Sequence, residues 1–299
     1  MFVDGFGRPS RRWRVGAPHW SVMRIGLEAS QQRMPWSELV DRVRYAEDAG
    51  FDGWWGFDHF QPMYGEGPGE CFEASTTLAA LTGLTSTLRL GVLVTGVTYR
   101  HPSVLAAEAV TIDHASGGRL ELSLGSAWFE PEHRALGVDF PPTGRRLDML
   151  EDALAILTGL MTTDGFSYDG KVWQVADATL DPKPVQRPKV PLWVAATGER
   201  RALPLAARYA DAWHSFGGPT DLAARSEKLS RLAVEAGRDP DDILRSASLD
   251  LSQPWDDVRR DAEAFRSAGF GYLICGWPGE GRAHLDHFVE HLLPELAAD

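Results

Sequence analysis

The sequence predicts an α/β fold, a (β/α)8 barrel with an insertion around residues 162–191. Three observations predict it. Eight short apolar runs alternate with amphipathic stretches from residue 23 onward, the pattern of parallel strands joined by helices. Two junctions, Ala49-Gly50-Phe51-Asp52-Gly53-Trp54 and Ala268-Gly269-Phe270-Gly271-Tyr272-Leu273, repeat a helix–Gly–strand joint, which suggests a recurring βα unit. Side chains able to do chemistry follow the strands, where a parallel barrel carries its site. A doubly wound open sheet is disfavoured because no GxGxxG turn follows the first strand.

Taken in order, residues 23–28, MRIGLE, form a short strand ending in the carboxylate of Glu28. Pro35 opens a helix at its first position, where a missing N–H costs nothing. Trp36, Leu39, Val40, Val43 and Ala46 share one face of it, with Glu38, Asp41, Arg42 and Arg44 on the other. Gly50 ends it as a left-handed cap. The apolar, aromatic run 51–57 is a buried strand that stops at Asp58-His59. Residues 61–69, rich in Pro and Gly, form a loop placed to act as a flap over that strand end. A helix over 73–86 and a strand over 88–95 follow. The next helix begins at His101-Pro102-Ser103 and ends at Gly117-Gly118. Strand 119–124 leads into Gly125-Ser126-Ala127-Trp128. A helix over about 145–161 has Leu147, Leu150, Leu154 and Leu157 in one stripe. Residues 162–191 break the rhythm with Asp164-Gly165, Asp169-Gly170 and four prolines, and read as turns and short extended pieces. Strands over 192–196, 212–216, 243–251 and 270–276 then alternate with helices over 201–209, 222–236, 254–268 and 283–296. Pro204 fits its helix only in the first turn.

Composition bounds the function. The chain has 299 residues, 43% hydrophobic and 24% charged, ordinary for a globular enzyme. The net charge of -12 argues against a nucleic-acid partner, which needs a basic face. Cys71 and Cys275 are the two cysteines; they suggest no disulfide framework, and a cytoplasmic location is expected. No apolar run reaches the roughly 18 residues that cross a bilayer. Residues 1–22 have no hydrophobic period and read as a poorly ordered extension, with Met23 as an alternative start. Residues 23–299 then form one barrel domain.

Closing the barrel would gather Glu28, Asp58, His59, Thr95, Gly125 to Trp128, Ala196 to Gly198, His214 and Trp277 at one end. Small residues let a flat ring approach the backbone, and aromatics shield it from water. Read alone, Asp58-His59 is also compatible with a plain strand cap. The absence of HxH, HExxH and CxxC patterns argues against a metal, and the absence of GxSxG argues against a hydrolase. Ala195-Ala196-Thr197-Gly198 before a helix can cradle a phosphate on backbone N–H groups, with Arg200 and Arg201 close by.

LRLGVLVTGVTYRHP, GGRLELSLGSAW followed by Glu132, and DPKPVQRPKVPLWVAATG followed by ARYADAW resemble the luciferase-like monooxygenase superfamily, from Met23 nearly to the C-terminus. Asp58-His59 resembles the branch that uses the deazaflavin coenzyme F420 more than the FMN branch. The resemblance implies an oxidoreductase moving a hydride between F420 and a small organic substrate. His59 would exchange a proton with substrate, and Asp58 would orient it or bond the deazaflavin. Leu93-Val94 would be a cis peptide backing the ring, beside Thr95. Gly125, Ser126 and Trp128 would line ring or substrate, Glu28 would help bind the cofactor from the first strand, and Ala195, Ala196, Thr197 and Gly198 would hold the tail phosphate. The chain departs from the pattern twice. Ala195-Ala196 replaces a Gly-Gly pair, and Trp128 stands where the sugar-phosphate-oxidising member has an acid, which argues against that substrate. The rival functions are an FMN-dependent monooxygenase fed by a flavin reductase and a non-catalytic flavin-binding barrel. The superfamily is often dimeric, so a homodimer is an open expectation. Specificity is expected from the loop 61–69 and the insertion 162–191.

Overall fold

A computed structural model of the chain describes residues 23–297; the extension expected over 1–22 lies outside them. The first half runs β1 (Arg24–Glu28), α1 (Trp36–Asp48), β2 (Gly53–Gly56), α2 (Ala74–Thr82), β3 (Arg89–Val92), β4 (Thr95–Gly96), α3 (Pro102–Ser116), β5 (Leu120–Gly125), α4 (Glu130–Leu136) and α5 (Thr143–Thr162). A hairpin follows, β6 (Phe166–Asp169) and β7 (Gln174–Ala178). The second half runs β8 (Leu192–Ala195), α6 (Ala202–Tyr209), β9 (Ala212–Ser215), α7 (Pro219–Glu235), β10 (Leu244–Leu249), α8 (Trp255–Ser267), β11 (Tyr272–Gly276), α9 (Arg282–His291) and α10 (Leu293–Leu296).

Every pairing in the main sheet is parallel; β1 joins β2 to β11, and β3 pairs with β5, so the sheet closes on itself. All eight expected strands are present in it. The third is interrupted at the cis peptide Leu93-Val94 and resumes as β4, which pairs Thr95 with Leu124. The insertion contains an antiparallel hairpin. Its root is Asp152 of α5, a fully buried carboxylate that accepts from the Tyr168 hydroxyl at 3.0 Å and from the Val172 and Trp173 amides at 2.6 and 3.1 Å.

Helix ends follow the chemistry read from the sequence. Gly50 has φ 85° after α1, Gly117 caps α3 in the left-handed region, and Pro204 falls in the first turn of α6. One helix escaped the sequence reading. At seven residues, α4 is too short to show a period, although Pro131 in its first turn and Gly137 at its C-cap with φ 69° mark both ends.

Two apolar compartments result. The larger lies between sheet and helices. The smaller fills the barrel with Trp55, Trp193, Tyr272, Leu244 and Ile274. Trp55 Nε1 donates to the Tyr272 hydroxyl at 3.2 Å, and Trp193 Nε1 donates to Glu121 at 2.7 Å. A Cβ on Gly91 would stand 2.7 Å from the Trp55 ring, so that strand passes the indole only as glycine. Filling the barrel body with indoles confines open space to the C-terminal strand ends.

Candidate active site

That space is a cavity of about 440 Å³, within the range of small-molecule sites. Of the residues expected there, Glu28, Asp58, His59, Leu93, Val94, Gly125, Ser126, Trp128, Ala195, Ala196 and Thr197 line it. Thr95 does not. It is buried and faces outward, toward Ala74, Ser75 and Leu105 of the surrounding helices. Gly198 is also off the wall, because the chain there has turned into α6, where the Leu203 amide bonds the Gly198 carbonyl. Trp277 leaves the site as well, packing on Tyr45 and under the Arg42 guanidinium.

His59 lines the cavity with its side chain 13% exposed, and its Nδ1 lies 3.1 Å from Glu132 Oε2. Glu132 is fully buried. Its Oε2 also accepts the Tyr99 hydroxyl, and its Oε1 accepts the Phe60 and Gln61 amides at 2.7 and 2.9 Å. Burial opposes ionisation, but the bonds from His59, Tyr99 and the two amides outweigh it and hold the carboxyl below the usual range. An ionised acceptor at Nδ1 selects the Nδ1–H tautomer and leaves Nε2 for the cavity.

Asp58 does not orient His59, contrary to one of its two expected roles. Its Oδ2 accepts from the Gly96 amide at 3.0 Å and the Arg100 guanidinium at 2.7 Å. Arg100 is also bonded to Glu73 and lies 3.5 Å from Glu108. Asp58 Oδ1 is buried and has no protein partner. Burial raises the pKa of Asp58, with Arg100 and the Gly96 amide acting against it.

A second imidazole, His214, lines the cavity from β9. It faces Ser246 Oγ at 3.0 Å and Ser248 Oγ at 3.4 Å. Burial pushes its pKa down to about 3, so it is neutral near pH 7 and cannot serve there as an imidazolium acid. Of the two histidines on the cavity, His59 is the one with a carboxylate partner.

The loop 61–69 is tied to the chain after β1. Gln32 accepts from the Met63 and Tyr64 amides at 2.6 and 3.3 Å, and Arg33 donates to the Tyr64 and Gly67 carbonyls. Met63 and Tyr64 therefore reach the cavity, whereas no residue of the insertion 162–191 does. Of the two segments expected to govern specificity, the loop lines the cavity and the insertion does not. On the opposite wall, a Cβ on Gly125 would stand 2.5 Å from Val94 Cγ2, so the chain after Leu93 and the end of β5 meet only because that residue is glycine.

Sequence reasoning missed the Glu132 function. The residue was visible as the acid that follows the GGRLELSLGSAW motif, but its partner lies 73 positions away. The acid at the start of an unrecognised short helix was the available signal.

These features define the class, a (β/α)8 barrel with its cavity at the C-terminal strand ends. The chain belongs to the luciferase-like monooxygenase family, whose model matches residues 19–274. It is 32% identical over 226 residues to a protein of Microbacterium testaceum (strain StLB037) described as F420-dependent glucose-6-phosphate dehydrogenase, an alignment covering 74% of this chain and 66% of that one. An F420-dependent secondary alcohol dehydrogenase, solved with an F420-acetone adduct, superposes with a TM-score of 0.81 at 19% identity, over 93% of this chain and 100% of that one. A riboflavin lyase, solved with modified FMN and riboflavin, superposes with a TM-score of 0.75 at 16% identity, over 92% and 91%. At those identities the two structures share the fold. Among the described residues no helix is long and apolar enough to cross a membrane, and no cluster of side chains could hold a metal.

Proposed function

We propose that the chain is an oxidoreductase that uses coenzyme F420 to move a hydride to or from a carbon of a small organic substrate, with His59 exchanging the accompanying proton. The observation that carries this reading is the His59–Glu132 pair, an imidazole on the cavity wall with a buried ionised carboxylate behind it. The 32% identical relative is described as F420-dependent, which favours the deazaflavin over FMN; the fold itself is compatible with both.

The residues present fit such a coenzyme. Asp58 Oδ1 is a buried acceptor awaiting a donor. Gly125, Ala127, Ala195 and Ala196 give a low wall along which a flat ring can lie. Leu93 and Val94 would back the ring, Asp58 would meet its polar edge, and the Thr197 turn would take the tail. Arg225, whose Nη1 donates to the Phe216 carbonyl at 3.3 Å, and the exposed Arg200 stand on that side. When bound, F420 supplies two-electron hydride chemistry. The chain's own part is to hold substrate beside His59 and manage the proton. Nε2 takes the proton of a substrate hydroxyl as the alcohol is oxidised and returns it in the reverse direction. Glu132 stabilises the imidazolium meanwhile.

The test is His59→Ala with parallel F420 and FMN titrations. The expected variant keeps F420 affinity and loses about 10²–10⁴-fold in turnover. Unchanged turnover would remove His59 from the mechanism. Tighter binding of FMN, with oxygen-dependent turnover, would place the chain among the monooxygenases.

A further inference from the structure

Two carboxyl side chains line the cavity, and among the described residues no lysine or arginine does. The charge of Asp58 is answered from behind by Arg100. Glu28 has no such partner. Its carboxylate accepts the Ser30 hydroxyl at 2.9 Å and makes no ion pair among the described residues, and burial raises its pKa. A carboxyl group taken from water without a cation is a costly arrangement unless a ligand compensates it.

The topology says which ligand it faces. Around the closed sheet the strand order is β1, β2, β3, β5, β8, β9, β10, β11. Glu28 ends β1, next to the strand that carries His59 and across the barrel from β8, whose end supplies Ala195 to Thr197. Glu28 therefore lies on the His59 side of the barrel mouth, away from the Ala195 to Thr197 turn.

The exposed aromatics point the same way. Tyr64, Trp128 and Phe216 are 67%, 68% and 55% exposed. They are the aromatic members of the large exposed hydrophobic side chains among the described residues, and all of them lie on this cavity. Tyr64 and Glu28 line the same cavity, and burial together with the Glu28 charge raises the pKa of Tyr64. Aromatic faces sharing a cavity with a carboxylate that has no cationic partner can form a receptor for an organic cation.

We infer that Glu28, with Tyr64 and Trp128, selects a substrate carrying a protonated amine on an apolar or aromatic frame, the amine against Glu28 and the reacting carbon beside His59. This rests on the reading of the site as a hydride-transfer centre. A substrate bearing a phosphate would meet two carboxylates and no cation on the cavity wall.

Three matched probes test it: para-(aminomethyl)benzyl alcohol, para-methylbenzyl alcohol and para-(hydroxymethyl)benzoate. Dissociation constants are measured calorimetrically on the coenzyme-free protein and on the protein loaded with F420. The wild type should bind the amine about tenfold or more tighter than the neutral probe, as expected for a cation among aromatics and a carboxylate, with the anion weakest. Glu28→Gln should erase the gap between amine and neutral probe in both the coenzyme-free and the loaded protein. Trp128→Ala should weaken all three aromatic probes. Equal affinities for amine and neutral probe in the wild type overturn the inference, as does a preference that survives Glu28→Gln. If Glu28→Gln does not fold, the wild-type ranking alone decides. Failure of the wild type to bind F420 would refute the hydride-transfer reading, while the ranking on coenzyme-free protein would still judge the charge preference.

Discussion

Glu132→Gln separates proton handling from simple packing. The side chain is fully buried and its two oxygens divide the work, Oε1 on the Phe60 and Gln61 amides and Oε2 on His59 and Tyr99. Glutamine keeps the size and one oxygen. With that oxygen retained on the two backbone amides, its NH2 faces His59 Nδ1. A donor there makes Nδ1 accept and moves the imidazole proton to Nε2, so the cavity meets an N–H in place of a lone pair. The imidazolium also loses its counter-charge. A wrong tautomer and a lost charge together should lower turnover about 10²–10⁴-fold, or about 3–5 kcal/mol of barrier. Stability should fall less, by about 1–3 kcal/mol, because charge-assisted hydrogen bonds are replaced by neutral ones. The pKa of Glu132 is lowered in the folded protein. Its contribution is therefore full above the unfolded carboxyl pKa of about 4.3 and is lost as pH falls through the lower folded value, so the stability gap between wild type and variant should close in acid. Steady-state turnover with F420, F420 titration and thermal melts across pH provide the readouts. A variant with wild-type turnover at every pH refutes the assignment, and so does one that loses F420 affinity in proportion to turnover.

Gly125→Ala places a methyl group 2.5 Å from Val94 Cγ2; it should cost about 1–3 kcal/mol by overpacking and weaken F420 binding, read by melting and titration. Glu47 accepts the Ser86, Thr87 and Leu88 amides at 2.7, 2.6 and 3.0 Å. Although burial acts against it, those bonds lower its pKa, so Glu47→Gln should reduce stability near neutrality and flatten its acid dependence below about pH 4, as followed by melts against pH. Asp152→Ala should loosen the 162–191 insertion, at a cost of about 2–3 kcal/mol in buried charged hydrogen bonds. Limited proteolysis should then cut there while F420 affinity is unchanged, since no residue of that segment reaches the cavity.

The sequence by itself determined the elements. Strand and helix positions follow from apolar periods of a few residues and from Gly and Pro at the junctions. That is why all eight barrel strands were legible, and why the seven-residue α4 was not. It also determined that His59 would stand at a strand end, because the run before it is continuously apolar and stops at Asp58. The partners were decided only by closure of the barrel. Adjacent in sequence, Asp58 and His59 bond different groups, Asp58 reaching Arg100 and His59 reaching Glu132. Thr95 alternates away from the site, the insertion packs on α5 through Asp152, and the loop 61–69 is drawn over the cavity by Gln32 and Arg33. Periodicity reports which face of an element is buried. It carries no information about which side chain, 73 residues distant, will fill a particular donor or acceptor. That pairing is set by strand register and by the cost of leaving a buried polar group unmet.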